Sequence, residues 1–290
     1  MKLPNFLIVG AMKAGTTTLY RDLSSNTHIY FPTTKEPNHL AQDAIFTEQG
    51  LAEYAELFSG ARSDQWCGEA STRYTMWPDW PDAARRAEQI LGRDIKVLYL
   101  VREPVDRIVS QYRHEFSARR IRLDINRAIF SCPALLNYSR YTTQISPWLE
   151  RFGKRRVRVL VFEDYIYNRK RTVKSVCEFL GVPSHADSIL DDRIYNQSSG
   201  KPIPRGTLFR VTQMAWYRKI FRPLLNHQTR DMLRQKLLPK APPSANVLLP
   251  ETIDYVRRSL GDEIARLQDV LATDRPLWPR WEFSEFRNSA

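Results

Sequence analysis

Cysteine is scarce in this chain. Cys67, Cys132 and Cys177 are the three present among 290 residues, widely separated and odd in number. That spacing excludes a disulfide-framed scaffold and a structural zinc site, so no metal ligands are expected. No run approaches the roughly 18–20 uninterrupted apolar residues of a membrane-spanning helix. The opening Met1-Lys2-Leu3-Pro4-Asn5 lacks a charged leader followed by a long apolar block and a small-residue cleavage site. These absences set the expectation of a reducing, cytoplasmic setting. Internal repeats and low-complexity tracts are missing too, which argues against solenoids and linkers.

What is present is enough to build a core. Hydrophobic residues make up 42% and aromatics 11%, too much for a disordered chain. The length exceeds the usual one-domain size but falls short of two, so a single domain over residues 1–290 is expected. Its parts read as an α/β core over about residues 1–205 and a mainly helical C-terminal extension over about residues 206–290. Forty-four Lys and Arg against 32 Asp and Glu leave a net charge of +12. That balance favours an anionic partner without choosing between phosphate, sulfate, nucleic acid and lipid head. Clusters such as Arg119-Arg120-Ile121-Arg122 and Lys154-Arg155-Arg156-Val157-Arg158 are interleaved with acids rather than gathered in a tail, and each reads as a solvated face first and as a contact for an anionic partner second.

Three apolar runs read as buried parallel strands: Phe6-Leu7-Ile8-Val9, Lys96-Val97-Leu98-Tyr99-Leu100-Val101 and Val157-Arg158-Val159-Leu160-Val161-Phe162. A helical pattern follows the second through Val105, Ile108, Val109, Tyr112 and Phe116, with Pro104 suited to its first turn. Another follows the third through Val173, Val176, Cys177 and Leu180, stopped by Gly181. Strand, crossover helix and strand predict a P-loop-type central parallel sheet flanked by helices. Further on, Ile253, Val256, Leu260, Ile264, Leu267 and Leu271 mark a long amphipathic helix. The stretch 208–225 sets Trp216, Tyr217 and Phe221 among Arg210, Arg218, Lys219 and Arg222. Two readings stand for it, packing on the core and peripheral contact with a membrane surface.

The most informative segment is Gly10-Ala11-Met12-Lys13-Ala14-Gly15-Thr16-Thr17-Thr18-Leu19, between a strand and a helix start. Glycines let the backbone approach a ligand, and free N–H groups at a helix N-terminus receive phosphate oxygens. The spacing Gly10, four residues, Gly15 matches the phosphate loop of nucleoside triphosphatases, but Thr16 stands where that motif carries lysine, and the lysine is displaced to Lys13. Hydrolysis of ATP or GTP in the usual lysine and magnesium arrangement is therefore disfavoured.

This loop resembles the 5′-phosphosulfate loop of sulfotransferases that use 3′-phosphoadenosine 5′-phosphosulfate (PAPS), particularly the heparan sulfate and carbohydrate branch. Leu98 to Tyr112, with Arg102 and Ser110, resembles that family's 3′-phosphate strand and helix. Lys35-Glu36-Pro37-Asn38-His39 and Gly68-Glu69-Ala70-Ser71-Thr72-Arg73-Tyr74 resemble two further family segments. Together the matches span about residues 6–165. Ala70 stands where some members carry lysine, which removes the case for a second lysine in the acceptor site.

The resemblance implies PAPS as co-substrate, adenosine 3′,5′-bisphosphate (PAP) as product, and no metal requirement. Two separated anion sites on one sheet edge suit such a molecule. Lys13, Ala14, Gly15, Thr16, Thr17 and Thr18 form the first, and Arg102 and Ser110 the second. Lys13 would also neutralise the leaving phosphate, and Glu36 would accept the proton of the attacking hydroxyl. His39 and His114 are rival bases. For Glu36 an ion pair beside Lys35 is the plainer reading, and for Arg102 an ion pair with Glu103 or Asp106. Tyr141 stands between nucleotide contact and core packing, while Lys201 and Arg205 sit in a polar loop placed where the family closes over the 3′-phosphate.

The expected activity is sulfuryl transfer to an acceptor hydroxyl, on a carbohydrate or glycolipid, with no nucleic-acid partner. Two alternatives remain: a small-molecule kinase with an atypical phosphate loop, which would need ATP and magnesium, and a noncatalytic binder of anionic polymers, which would show steep salt dependence without turnover.

Overall fold

The computed structural model describes residues 1–189 and 247–281. In chain order the strands are β1 (Phe6–Gly10), β2 (Ile29–Tyr30), β3 (Trp66–Ala70), β4 (Lys96–Val101) and β5 (Val157–Val161). The helices are α1 (Thr16–Ser24), α2 (Glu48–Glu56), α3 (Ala83–Leu91), α4 (Pro104–Ser117), α5 (Ile125–Ser131), α6 (Ala134–Asn137), α7 (Tyr141–Phe152), α8 (Phe162–Tyr167), α9 (Arg169–Leu180) and α10 (Pro250–Leu271).

The strands form one parallel sheet in the order β2-β3-β1-β4-β5. β1 lies at its centre, and every one of its residues is buried, as expected of a strand covered by helices on both faces. Each fully buried Leu or Ile there contributes about 1.5–3 kcal/mol relative to exposure. β5 departs from the buried strand anticipated from its sequence. Only Val157 is buried, and Arg158 to Val161 are half-buried, because β5 is the edge of the described sheet and pairs on one side with β4 alone. β2 and β3 have too few apolar residues in a row to show a strand period. Their pairing is supplied by the neighbouring chain: Ile29 and Tyr30 lie opposite Trp66 and Cys67, and Phe6 to Ile8 opposite Gly68 to Ala70.

Helix ends follow local chemistry. Pro104 occupies the first turn of α4, and the Glu103 carboxylate caps it by accepting the Asp106 N–H at 2.7 Å. Gly181, in the left-handed region, terminates α9. A buried ion pair ties α1 to α9, with Arg169 Nη2 2.6 Å from Asp22 Oδ1 and Nε 2.8 Å from Oδ2. It anchors the helix that follows β1. The long C-terminal helix forms as anticipated, with Val256, Leu260, Ile264 and Leu267 fully buried against the core.

The chain leaves β1 toward β2 and β3, but leaves β4 toward β5 on the other side. The C-terminal ends of β1 and β4 therefore border a crevice where the connections diverge, the place where open α/β sheets bind ligands.

Candidate active site

That crevice is a cavity of about 1060 Å³. On one wall lies the loop after β1. Gly15 has φ +90, and a Cβ on it would sit 2.4 Å from the Phe162 ring, so both the backbone turn and the close packing demand glycine. The first hydrogen bonds of α1 run from the N–H groups of Thr18 and Leu19 to the Gly15 carbonyl, at 2.9 and 3.2 Å. Among the described residues the Gly15 and Thr16 N–H groups have no backbone partner, and both residues line the cavity. A helix N-terminus with open donors is an anion site.

The loop residues thus divide. Lys13, Gly15, Thr16 and Thr17 line the cavity. Ala14 and Thr18 do not: both are wholly buried, and their N–H groups bond within the loop, Ala14 to the Ala11 carbonyl at 3.1 Å. They shape the turn and offer no backbone donor to a ligand.

The second wall comes from β4 and α4. Arg102 and Ser110 both line the cavity. The Arg102 side chain stacks over the Phe162 ring at 5.1 Å and donates from Nη1 to the Lys13 carbonyl at 3.4 Å. Its Nε is buried with no partner among the described residues. It makes no ion pair with Glu103 or Asp106 among the described residues, since those carboxylates face Arg280 and the Trp281 indole. A buried guanidinium N–H without a partner among the described residues, in the same cavity as two open backbone N–H groups, fits an anionic ligand better than a structural role.

Tyr141 is resolved as a support. It is fully buried, its hydroxyl donates to the Arg102 carbonyl at 2.6 Å and accepts the Arg102 N–H at 3.3 Å, and it is not among the cavity walls. Burial pushes its phenol pKa up, which keeps it a neutral donor.

Glu36 lines the cavity too. Its carboxylate meets Lys35 Nζ at 2.8 Å, as the plainer reading anticipated, and also accepts from Thr72 Oγ1 at 3.4 Å. With a side chain 39% exposed, it remains accessible to a substrate. Lys13 and Glu36 share an uncommon backbone state, with φ of 69 and 59. Such conformations cost about 1–3 kcal/mol and tend to gather at functional sites. The histidines separate: His114 lines the cavity. His39 does not, because its ring stacks on Tyr54 at 5.1 Å, and burial pushes its pKa down against the opposing effect of Glu53. Lys201, Arg205 and the 208–225 stretch lie outside the described residues.

Several site residues escaped the sequence reading. Arg73 stacks over the Trp80 ring at 4.4 Å, and both line the cavity beside Thr72. Arg107 is wholly buried, and its guanidinium donates to Ser139 Oγ, Gln111 Oε1 and the Leu135 and Met12 carbonyls, at 2.6, 2.9, 2.6 and 3.4 Å. It lashes α4 to the loop after β1. The spacing of Arg107 and Ser110, three apart on one helix, was the available signal.

A parallel α/β sheet with a phosphate-type loop at its centre and a second cationic site on the next strand defines a nucleotide-binding protein of the phosphate-loop type. Residues 3–237 match the family model described as "Sulfotransferase domain". The chain belongs to the sulfotransferase family. Among curated relatives it is 23% identical over 247 residues to Carbohydrate sulfotransferase 15 of Rattus norvegicus, covering 62% of this chain and 44% of that protein. It is 31% identical over 110 residues to Membrane-associated sulfotransferase kil1 of Dictyostelium discoideum, 38% of this chain and 22% of the relative. The chain therefore spans less than half the length of these relatives. Its fold matches a sulfotransferase from Alicyclobacillus acidocaldarius with a TM-score of 0.65 at 24% identity, over 95% of this chain and 98% of that one. Mouse sulfotransferase SULT7A1 complexed with PAP matches at 0.53 and 12% identity, over 93% and 86%.

Proposed function

We propose that this protein moves a sulfuryl group from PAPS to a hydroxyl of a carbohydrate or glycolipid. The observation that carries the reading is the pair of anion positions in one cavity: the open N–H groups of Gly15 and Thr16 with Lys13 on one side, and Arg102 Nε, buried without a partner among the described residues, with Ser110 on the other. They suit a nucleotide with a phosphosulfate at one end of its ribose and a phosphate at the other.

PAPS, when bound, supplies an electron-poor sulfur joined to a good leaving phosphate. The acceptor oxygen forms the new S–O bond as the bond to the phosphate oxygen breaks. Lys13 offsets the charge left on that phosphate, and Glu36 takes the hydroxyl proton. The loop, Arg102 and Ser110 hold the donor in line with the acceptor. The stacked Arg73 and Trp80 beside Thr72 give the Glu36 side of the cavity an aromatic, cationic surface suited to a sugar ring. The single-domain organisation over 1–290 is part of this reading, supported by the packing of α10 on α7.

Calorimetry with PAP, PAPS and ATP tests the donor. Transfer of labelled sulfate to neutral oligosaccharides, galactosyl glycolipids and simple phenols tests the acceptor. Tight PAP binding with transfer to a saccharide is expected. Binding of ATP with magnesium in preference to PAP would replace this reading with the kinase one, and transfer confined to phenols would remove the carbohydrate acceptor.

A further inference from the structure

Glu69 is fully buried in β3, opposite Leu7 of the central strand. No cation pairs with it among the described residues. Instead its carboxylate accepts three hydroxyl donors: Ser71 Oγ at 2.6 Å and Tyr74 at 2.5 Å on Oε1, and Tyr54 on Oε2. Burial pushes its pKa up, and those three hydrogen bonds pull the other way. Burying a carboxyl is costly, and an apolar residue would fill the same space more cheaply.

Two of the three hydroxyls have a second contact. A hydroxyl that gives its proton to Glu69 presents its lone pairs elsewhere. Ser71 Oγ accepts the Asn38 N–H at 3.2 Å, and the Tyr74 hydroxyl accepts the Leu40 N–H at 3.1 Å. Those N–H groups belong to the segment that carries Glu36, where Glu36 and Asn38 have φ of 59 and 61. The same segment is pinned by the Glu36 N–H on the Ala70 carbonyl at 3.0 Å, and by Asn38 Nδ2 on the Glu36 carbonyl. Strained backbone persists only where its surroundings over-determine it. Glu69 orients the two hydroxyls that supply the acceptors.

We propose that Glu69 is a positioning residue for Glu36, acting through Ser71 and Tyr74 to hold the Glu36 carboxylate at the acceptor. The inference rests on the reading of Glu36 as base. A glutamine at position 69 keeps the volume and removes the charge: its N–H2 can face Tyr54, whose hydroxyl turns to accept, but the oxygen left to Ser71 and Tyr74 is then a neutral amide oxygen, a weaker acceptor for both hydroxyls than the carboxylate.

The test is a double-mutant cycle of Glu69→Gln and Glu36→Gln in the full chain, using the best saccharide acceptor of the panel above with saturating PAPS. Glu69→Gln is expected to lower kcat at least tenfold while leaving the Kd of PAP within twofold. In the Glu36→Gln background the same change should cost less than twofold. An equal loss in both backgrounds would mean that Glu69 acts on stability or on another group, and an unchanged kcat would also overturn the proposal. Should Glu69→Gln not fold, Ser71→Ala and Tyr74→Phe are judged by the same cycle, each expected to give a smaller loss of the same kind. If Glu36→Gln keeps near-normal turnover, the base assignment itself fails. If Glu36→Gln is inactive and Glu69→Gln is not, only the positioning role fails.

Discussion

Arg102 Nη1 lies 3.4 Å from the backbone carbonyl of Lys13, so the side chain just past the end of β4 is fastened to the loop that follows β1. The two anion positions are thereby held as one unit, and a ligand touching both gains from both without reorganising the protein.

Removing the 3′-phosphate from PAP should therefore weaken binding tenfold or more, since a charge-assisted hydrogen bond is worth about 1.5–3 kcal/mol. Calorimetry with PAP and AMP in chelator measures this. Equal affinities, or a need for magnesium, would dissociate Arg102 from the nucleotide.

Lys13→Ala should lower kcat far more than it raises the Kd of PAP, because its interaction strengthens as charge develops on the leaving phosphate. A raised KM for PAPS at unchanged kcat would make Lys13 a binding residue only.

For Glu36→Gln the expectation is normal folding and PAP binding with a loss of about 10²- to 10⁴-fold in kcat, the usual worth of a general base. An exposed ion pair such as the one with Lys35 is worth only about 0–1 kcal/mol. His114→Ala and His39→Ala are run in parallel. Collapse in the His114 variant with activity retained in Glu36→Gln would transfer the role to the histidine.

Gly15→Ala should cost both stability and nucleotide affinity. The new Cβ would meet the Phe162 ring at 2.4 Å in a backbone with φ +90, and the penalty is about 1–3 kcal/mol. The thermal midpoint with and without PAP reads it, and an unchanged midpoint would show that the loop relaxes freely.

Glu263 gives a pH-dependent contribution to stability. From α10 it accepts the Thr142 and Thr143 N–H groups, both at 3.1 Å, and the Thr143 hydroxyl at 2.7 Å, capping α7 from 120 residues away. Burial raises its pKa, but the Thr143 and Arg266 contacts outweigh that and leave it lowered. The unfolded chain then binds the proton more readily, so the contribution is present above the ordinary carboxylate range and lost as pH falls through the lowered folded value. Glu263→Gln should cost about 1 kcal/mol near neutrality by urea denaturation, with the gap to wild type closing in acid. A gap that widens in acid would reverse the sign.

Local features carried much of this architecture in the sequence. The run Phe6–Gly10, the glycines around Lys13, and Pro104 with Arg102 and Ser110 lie within single strand-loop-helix units, where periodicity and capping act between neighbours. Glu36 could be named, but not its left-handed backbone. His39 could be named as well, but not its stacking on Tyr54.

The amino-acid order by itself determined the α/β class, the phosphate-type loop and the second cation, because each is encoded in residues close in the chain. Only the tertiary structure decided which loop residues face the cavity, that Tyr141 braces Arg102, that Arg73 stacks on Trp80, and that Glu69 and Glu263 act on segments far from them in sequence. Those relationships depend on which strands lie side by side and which helix packs on which, and no local period records that choice.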